Sequence, residues 1–373
     1  MIPEKEKKQK FIVIFLILII TFFILVIPVS AFYSKPTKQD ENTKKIVVTT
    51  TMLQDLVKHL IGDVDKEETQ KSETYQKIEG ITCETLMGVG IDPHNYKIKL
   101  SDRLKLKNAD LVVVSGLHLE AKMPEAFQRF TKQDRFWDAG NALIKDSELK
   151  NLLKQTDSYE YDPHIWFEID LWIETFKNLK QTLLDKKIVK EKDKKKLEAN
   201  FGIYNKALEQ LKEKIINEMI ELKINLNNKL IIVTAHDAFA YWESFCQKQK
   251  KNCDFDLESI QGISTQTEAS NNKIVALAEK LVKNDVKAIF TESSMPKNSL
   301  QSLKEQVDSE RRRKGLQGEI QIPENVELYS DSLGTDKQQE ELENNKYKHS
   351  TYIGAFLNNI KVIKTYLSPK TIT

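Results

Sequence analysis

The sequence predicts an α/β protein of two lobes with parallel sheets, joined by one long, rigid helix. Three observations carry that prediction. Short apolar runs alternate with stretches of helical periodicity in two separate parts of the chain. Between them one helical pattern runs from 195 to 221, too long for an ordinary crossover and suited to a strut. The chain of 373 residues also exceeds what one core ordinarily fills, so roughly two domains are expected.

In the first lobe, 44–170, residues 45–51 read as a strand running into a turn. Met52, Leu53, Leu56, Val57, Leu60 and Ile61 then recur at helical spacing, and Gly62 is placed to stop that helix. A second strand is expected at 78–82, followed by the turn residues Gly88 and Gly90. Ser101 can cap a short helix, and Leu111-Val112-Val113-Val114 has the composition of a buried parallel strand. The helical region 171–228 is interrupted near 185–192. Its second part carries Leu197, Phe201, Tyr204, Leu208, Leu211, Ile215 and Met219 at steps of three and four. The alternation restarts in the second lobe, 229–373. Strands are expected at 230–233, 260–264 and 286–290, helices at 238–246, 272–282, 296–307 and 352–367. Residues 326–330 lead into Asp331-Ser332-Leu333-Gly334.

Residues 11–29 are almost unbroken Ile, Leu, Phe and Val, preceded by Lys5, Lys7, Lys8 and Lys10. This is an export signal, and 1–31 is either a cleaved signal peptide, with a small-residue site at Val29-Ser30-Ala31, or an uncleaved membrane anchor. Residues 32–43 form a polar tether. In either case the folded part lies outside the cytoplasm. No cysteine follows the apolar stretch closely, so lipid attachment there has no acceptor.

The net charge is +2, from 57 basic and 55 acidic residues, which gives no bulk field to gather nucleic acid. The basic runs at 194–196 and 311–314 read as solvated faces. Of three cysteines, Cys246 and Cys253 are close enough in sequence to pair in an oxidising compartment or to remain two thiols, and Cys83 reads as a buried small hydrophobe.

Six histidines are present, and two share one tripeptide. Asp92-Pro93-His94 and Asp162-Pro163-His164 each place a rigid proline before the imidazole, which fixes the local chain. His236 follows the apolar run Leu230-Ile231-Ile232-Val233, at a strand end of the kind where α/β proteins put ligand groups. Asp331 is the best fourth candidate, and the four together would make a three-nitrogen, one-carboxylate metal site. Unrelated structural histidines and a helix-capping Asp331 fit the spacing equally well. His118 competes as a ligand, His59 reads as a helix-surface residue and His349 as solvated. Glu120 and Glu292 could serve a zinc hydrolase as bases, but the chain has no H-E-x-x-H, G-x-S-x-G, phosphate-binding loop or G-x-G-x-x-G. Binding is favoured over catalysis.

The motifs Thr49-Thr50-Thr51-Met52, Gly90-Ile91-Asp92-Pro93-His94, Gly116-Leu117-His118-Leu119-Glu120, Asp162-Pro163-His164, Thr234-Ala235-His236-Asp237, Gln261-Gly262-Ile263-Ser264-Thr265 and Ser330-Asp331-Ser332 fall in the order of the zinc/manganese ABC-transporter substrate-binding proteins, which the chain resembles. The resemblance implies two lobes on one rigid helix and a single divalent ion, Zn2+ or Mn2+, buried between them. It carries the ligand positions onto His94, His164, His236 and Asp331. Delivery of the ion to a membrane permease by a monomer is the leading functional expectation, and the stiff interlobe helix points to only a small tilt of the lobes. Some members of the family have been taken for adhesins, which is the competing functional expectation.

Overall fold

In the computed structural model the first lobe grows from β1 (Lys44–Val48), whose side chains alternate between two apolar layers. Ile46 and Val48 enter the main core, and Val47 enters a smaller one on the other face. The described residues are 43–68, 74–131, 134–157, 159–226, 230–248, 255–266 and 270–368; segment 1–31, nearly all of the tether and Cys253 lie outside them. No helix among the described residues is long and apolar enough to cross a membrane. The compact unit begins at Lys44, and it contains all three apolar cores.

After β1 come α1 (Thr51–Ile61), β2 (Ile81–Thr85), α2 (Leu100–Asn108), β3 (Leu111–Val114), α3 (Pro124–Thr131), β4 (Phe136–Asp138), α4 (Ala139–Lys145) and α5 (Ser147–Lys150). The strands form one parallel sheet in the order β2-β1-β3-β4. Thr50 caps α1 by accepting the Leu53 N–H, and Gly62 ends it in the left-handed conformation at φ 70°. A Cβ at Gly62 would stand 2.4 Å from the Gln76 carbonyl oxygen, so the following segment packs only against glycine. The second strand starts at Ile81 rather than 78. Ile78 donates its N–H to Ile61 O, and Gly80, at φ 76°, completes a turn before the ladder can begin. The short edge strand β4 was not predicted, because its three half-buried residues show no alternation long enough to read.

Two antiparallel-running helical segments follow, α6 (Ile169–Asp185) and α7 (Lys194–Asn225). The 32 residues of α7 span about 48 Å at the α-helical rise. Leu197, Tyr204, Leu208, Leu211, Ile215, Met219 and Leu222 of α7 are buried, and the helix packs on α1 and α6.

The second lobe contains β5 (Ile231–Thr234), α8 (Ala240–Lys248), β6 (Asp256–Ser259), α9 (Asn271–Lys283), α10 (Asn298–Arg313), the hairpin β7 (Gln339–Leu342) and β8 (Asn345–Lys348), and α11 (Tyr352–Leu367). β5 and β6 pair in parallel. The expected strand at 260–264 lies earlier, because the chain turns after Ile260 and the pairing is made by the half-buried residues 256–259. The expected strand at 286–290 survives only as the single parallel bridge of Ala288 to Gln321, and the segment 326–330 joins the same region by the bridge of Leu328 to Glu292. The Phe290 N–H to Val233 O bond nevertheless sets this segment beside β5, so the second lobe has the same layered arrangement as the first. The hairpin turn uses Glu343 and Asn344, both at positive φ, and its strands are too polar for an apolar pattern to announce them.

The main core runs through both lobes. Ile46, Val48, Leu111 and Val113 from the first sheet, Leu230 and Ile232 from the second, and the buried faces of α6, α7 and α11 belong to one cluster. Ile231 and Val233 turn to a separate core with Leu277, Leu281 and Leu303. Each sheet therefore spends one face on its own lobe and one on the shared core. Phe167 adds a tilted ring contact with Phe239 at 4.3 Å and a stacked one with Phe356 at 5.1 Å in that core. Such a joint resists wide hinge opening.

Candidate metal centre

Loops that leave strand ends carry His94, His236 and Asp331, and the connection between α5 and α6 carries His164; together they bring one ligand-type atom of each residue within 4.8 Å of all the others. All four are buried, with exposures of 0, 0, 0 and 2%. His94 Nε2 is 3.2 Å from His164 Nε2. The carboxylate of Asp331 lies 3.2 Å from His236 Nε2, 3.5 Å from His164 Nε2 and 3.8 Å from His94 Nε2. Four atoms at 2.0–2.2 Å from a tetrahedral ion would be separated by about 3.3–3.6 Å, so one ion fits the space with little adjustment.

Each histidine is aimed by its own loop. In both Asp-Pro-His tripeptides the aspartate Oδ1 accepts the histidine N–H, at 2.9 Å for Asp92 and 3.0 Å for Asp162. Asp162 Oδ1 also faces His164 Nδ1 at 2.7 Å, which turns Nε2 inward. Asp92 instead uses its second oxygen for Asn95 Nδ2 and for Thr265 Oγ1 of the other lobe, so the His94 ring has no carboxylate behind it. Behind His236 stands Glu292, whose Oε1 accepts the His236 N–H at 2.9 Å while Oε2 lies 2.7 Å from Nδ1. That second contact is too bent for an aligned hydrogen bond and acts as an ion pair.

The loop of Asp331 is held from three sides. Trp166 Nε1 donates to Ser330 O at 3.0 Å, Gly90 N–H to Ser332 Oγ at 2.9 Å, and Leu333 N–H to Thr51 Oγ1 at 2.8 Å. Neither oxygen of Asp331 receives a hydrogen bond. A dry carboxylate surrounded by three ring nitrogens has the donor chemistry to hold a cation.

The electrostatics agree. Burial, the largest influence, pushes the His94 ring down to about 4 against the pull of Asp331. Burial also opposes charge on His236, but Glu292 and Asp331 outweigh it and hold that ring well above the usual imidazole range. Asp331 stays well below the carboxylate range: burial would raise it, and the charge of His236 at 3.2 Å, joined by His94 and His164, reverses the sign. The protein alone thus places a positive ring against Asp331, where a cation would take over that role.

Other histidines go elsewhere. His118 sits outside the cluster at φ 65° and stacks on Tyr159, with 5.6 Å between centroids. His59, expected on a helix surface, is only 1% exposed between Asp55 and Glu68, because the segment after α1 and helix α7 cover that face. His349, expected in solvent, is 2% exposed and bonds to Tyr329 OH and Glu340, which the unpredicted hairpin brings over it. Glu120 accepts from Thr49 Oγ1, Ser115 N–H and Gly116 N–H, and burial pushes it up to about 7. Cys83 is half-buried rather than buried, since β2 is an edge strand, and desolvation pushes its thiol up to about 12. Cys246 is buried in α8, and the pairing expected with Cys253 falls outside the described residues. The orienting role of Glu292 was not foreseen, and its place at the end of the strand-like segment next to β5 was the available signal.

The class defined by this fold and cluster is a two-lobed metal-binding protein. Residues 46–366 match the family described as zinc-uptake complex component A, periplasmic (ZnuA), and the chain belongs to that family of solute-binding proteins of metal ABC transporters, which are not enzymes. It is 30% identical over 283 residues to the zinc-binding protein TroA of Treponema pallidum, covering 76% of this chain and 80% of that one. It is 29% identical over 279 residues to the manganese-binding lipoprotein MntA of Bacillus subtilis, covering 75% and 80%. The solved structure of the periplasmic zinc-binding protein TroA from Treponema pallidum superposes with a TM-score of 0.69 at 25% identity, covering 88% of this chain and 100% of that one.

Proposed function

We propose that this protein captures one Zn2+ or Mn2+ outside the cytoplasm, on His94, His164, His236 and Asp331, and delivers it to the permease of an ABC transporter. The convergence of three inward Nε2 atoms on an otherwise unbonded, buried carboxylate is the observation that carries this reading. The names of the relatives support both ions, one as a zinc-binding and one as a manganese-binding protein. Three imidazoles give zinc the greater intrinsic affinity, while supply and cavity rigidity decide occupancy in the cell. The apolar stretch 11–29 acts as the export signal and, when uncleaved, as the anchor. Release proceeds by a small tilt of lobes that share one core, with the ligand loops loosening at the cleft.

Metal content and zinc/manganese competition on the purified protein test the capture step, and about one ion per chain is expected. Uptake of the same metal by cells that lack the permease, at the rate of cells that contain it, would overturn the delivery step. Glu292→Gln keeps the shape behind His236 and removes the charge. Metal affinity is expected to fall about 10–100-fold, read by competition with a chelating dye.

A further inference from the structure

The chain enters the fold at the opposite end of the first sheet from the metal centre. The four parallel strands of that sheet start along one edge, and His94 follows the far end of β2. Lys44 opens β1 at the starting edge and pairs with Asp110 at 2.8 Å. The turn between α6 and α7 is fastened to the same edge. Lys186 pairs with Asp134, which precedes β4, at 2.5 Å, and Lys196 Nζ donates to the carbonyl of Lys77, which precedes β2, at 3.4 Å.

This turn is strongly basic. Residues 186–196 hold seven lysines against Glu191 and Asp193, in a chain whose net charge is only +2. Lys187, Lys190, Lys192, Lys194 and Lys195 are exposed, while Ile188 and Val189, at 3 and 2% exposure, plug the turn into the main core. The cations therefore stand on a fixed platform. Their placement also breaks a local rule. Lys194, Lys195 and Lys196 open the longest helix, at the end where the helix dipole disfavours positive charge, with Asp193 at the N-cap and Glu191 in the turn before it as the acidic residues there. Lys194 and Lys196 recover part of that cost by pairing with Glu191 at 3.7 Å and Asp193 at 3.3 Å, whereas Lys187, Lys190, Lys192 and Lys195 have no ion pair among the described residues, which leaves their charge to a ligand outside the fold.

We propose that this basic base rests the protein on the anionic lipid headgroups of its own membrane. The inference depends on the reading of 11–29 as an anchor, and the chain length makes lipid the occupant. Fourteen residues, 30–43, separate the apolar stretch from Lys44 and reach at most about 50 Å, so the edge carrying the lysines is the part of the fold kept nearest the bilayer. A cluster of this size suffices for attraction to an anionic surface. The metal centre, at the other end of the sheet, stays clear of it.

The test uses the full chain in lipid nanodiscs without permease, either of phosphatidylcholine alone or with about one-third phosphatidylglycerol. Lysine acetylation is followed by mass spectrometry. Lys187, Lys190, Lys192 and Lys195 are expected to react about fivefold more slowly in the anionic discs, with the difference lost near 0.5 M salt, where the Debye length falls to about 4 Å from about 30 Å at 0.01 M. Lys283, in α9 of the second lobe, is expected to react equally in both. The triple variant Lys190→Glu/Lys192→Glu/Lys195→Glu is expected to bind metal normally and to lose the protection of Lys187. Equal rates with the chain retained in both discs would overturn the lipid contact alone. A chain that leaves the discs would overturn the anchor and this inference together, and protection that arises only when permease is added would assign the base to the permease.

Discussion

Replacing His164 or Asp331 by alanine is expected to leave the protein without stoichiometric metal. Binding free energies of about 10–16 kcal/mol for four-ligand zinc sites correspond to roughly 2.5–4 kcal/mol per ligand, or two to three powers of ten in affinity. Asp331 should lie at the upper end, because it is the only formal negative charge among the four and none of its oxygens is satisfied by hydrogen bonds. His164 should lie close behind, since Asp162 fixes its tautomer and the following turn, through Trp166, holds the Asp331 loop. His118→Ala, outside the cluster, should retain the metal. Metal content by mass spectrometry after dialysis, with urea unfolding of each metal-free variant beside it, separates lost ligation from lost folding. Metal retained in both variants would return these histidines to a structural role.

The candidate site was legible because its chemistry is written locally. A proline beside a histidine fixes a loop whatever surrounds it, and an apolar run ending in His236 marks a strand end. The long helix was legible for the same reason, since one helical period sustained from 195 to 221 admits no second reading. What was missed depends on partners far away in sequence. Glu292 becomes an orienting group only when residues 288–292 settle beside β5, 56 positions from His236. Polar edges such as β7 and β8 pair through backbone bonds that leave no apolar signature. His59 and His349 were assigned to solvent from their neighbours in sequence, and each is covered by an element that arrives from elsewhere. The family resemblance supplied the ligand roles that spacing alone left even with a structural reading.

The second large effect is expected at Asp55, remote in chemistry from the metal. Asp55→Ala should cost about 3–5 kcal/mol of stability, because it strands a buried charge. The His59 ring, stacked on Tyr204 with 3.6 Å between centroids, offers Nδ1 to the Asp55 carbonyl oxygen at 2.8 Å and Nε2 to Glu68 at 3.1 Å. Both nitrogens face acceptors, so both carry protons. The Asp55 carboxylate lies 3.4 Å from the ring and also accepts from Tyr204 OH and from the Tyr352 N–H, tying α1 to α7 and α11. Burial by itself would lower the ring's affinity for its proton, but the charge and hydrogen bond of Asp55, joined by those of Glu68, raise it to about 10. The sign follows from linkage. Unfolded histidine titrates near 6.5, so the stabilisation from charged His59 is complete below that value and disappears as the pH rises from about 6.5 to about 10. Urea unfolding of the metal-free protein and of His59→Gln should therefore show a stability gap that is widest near pH 6 and narrows steadily toward pH 10. Taking the difference between the two proteins cancels the groups that titrate independently of His59. A gap that stays constant across it would mean that the ring is neutral in the fold and that Asp55 serves the tyrosines alone.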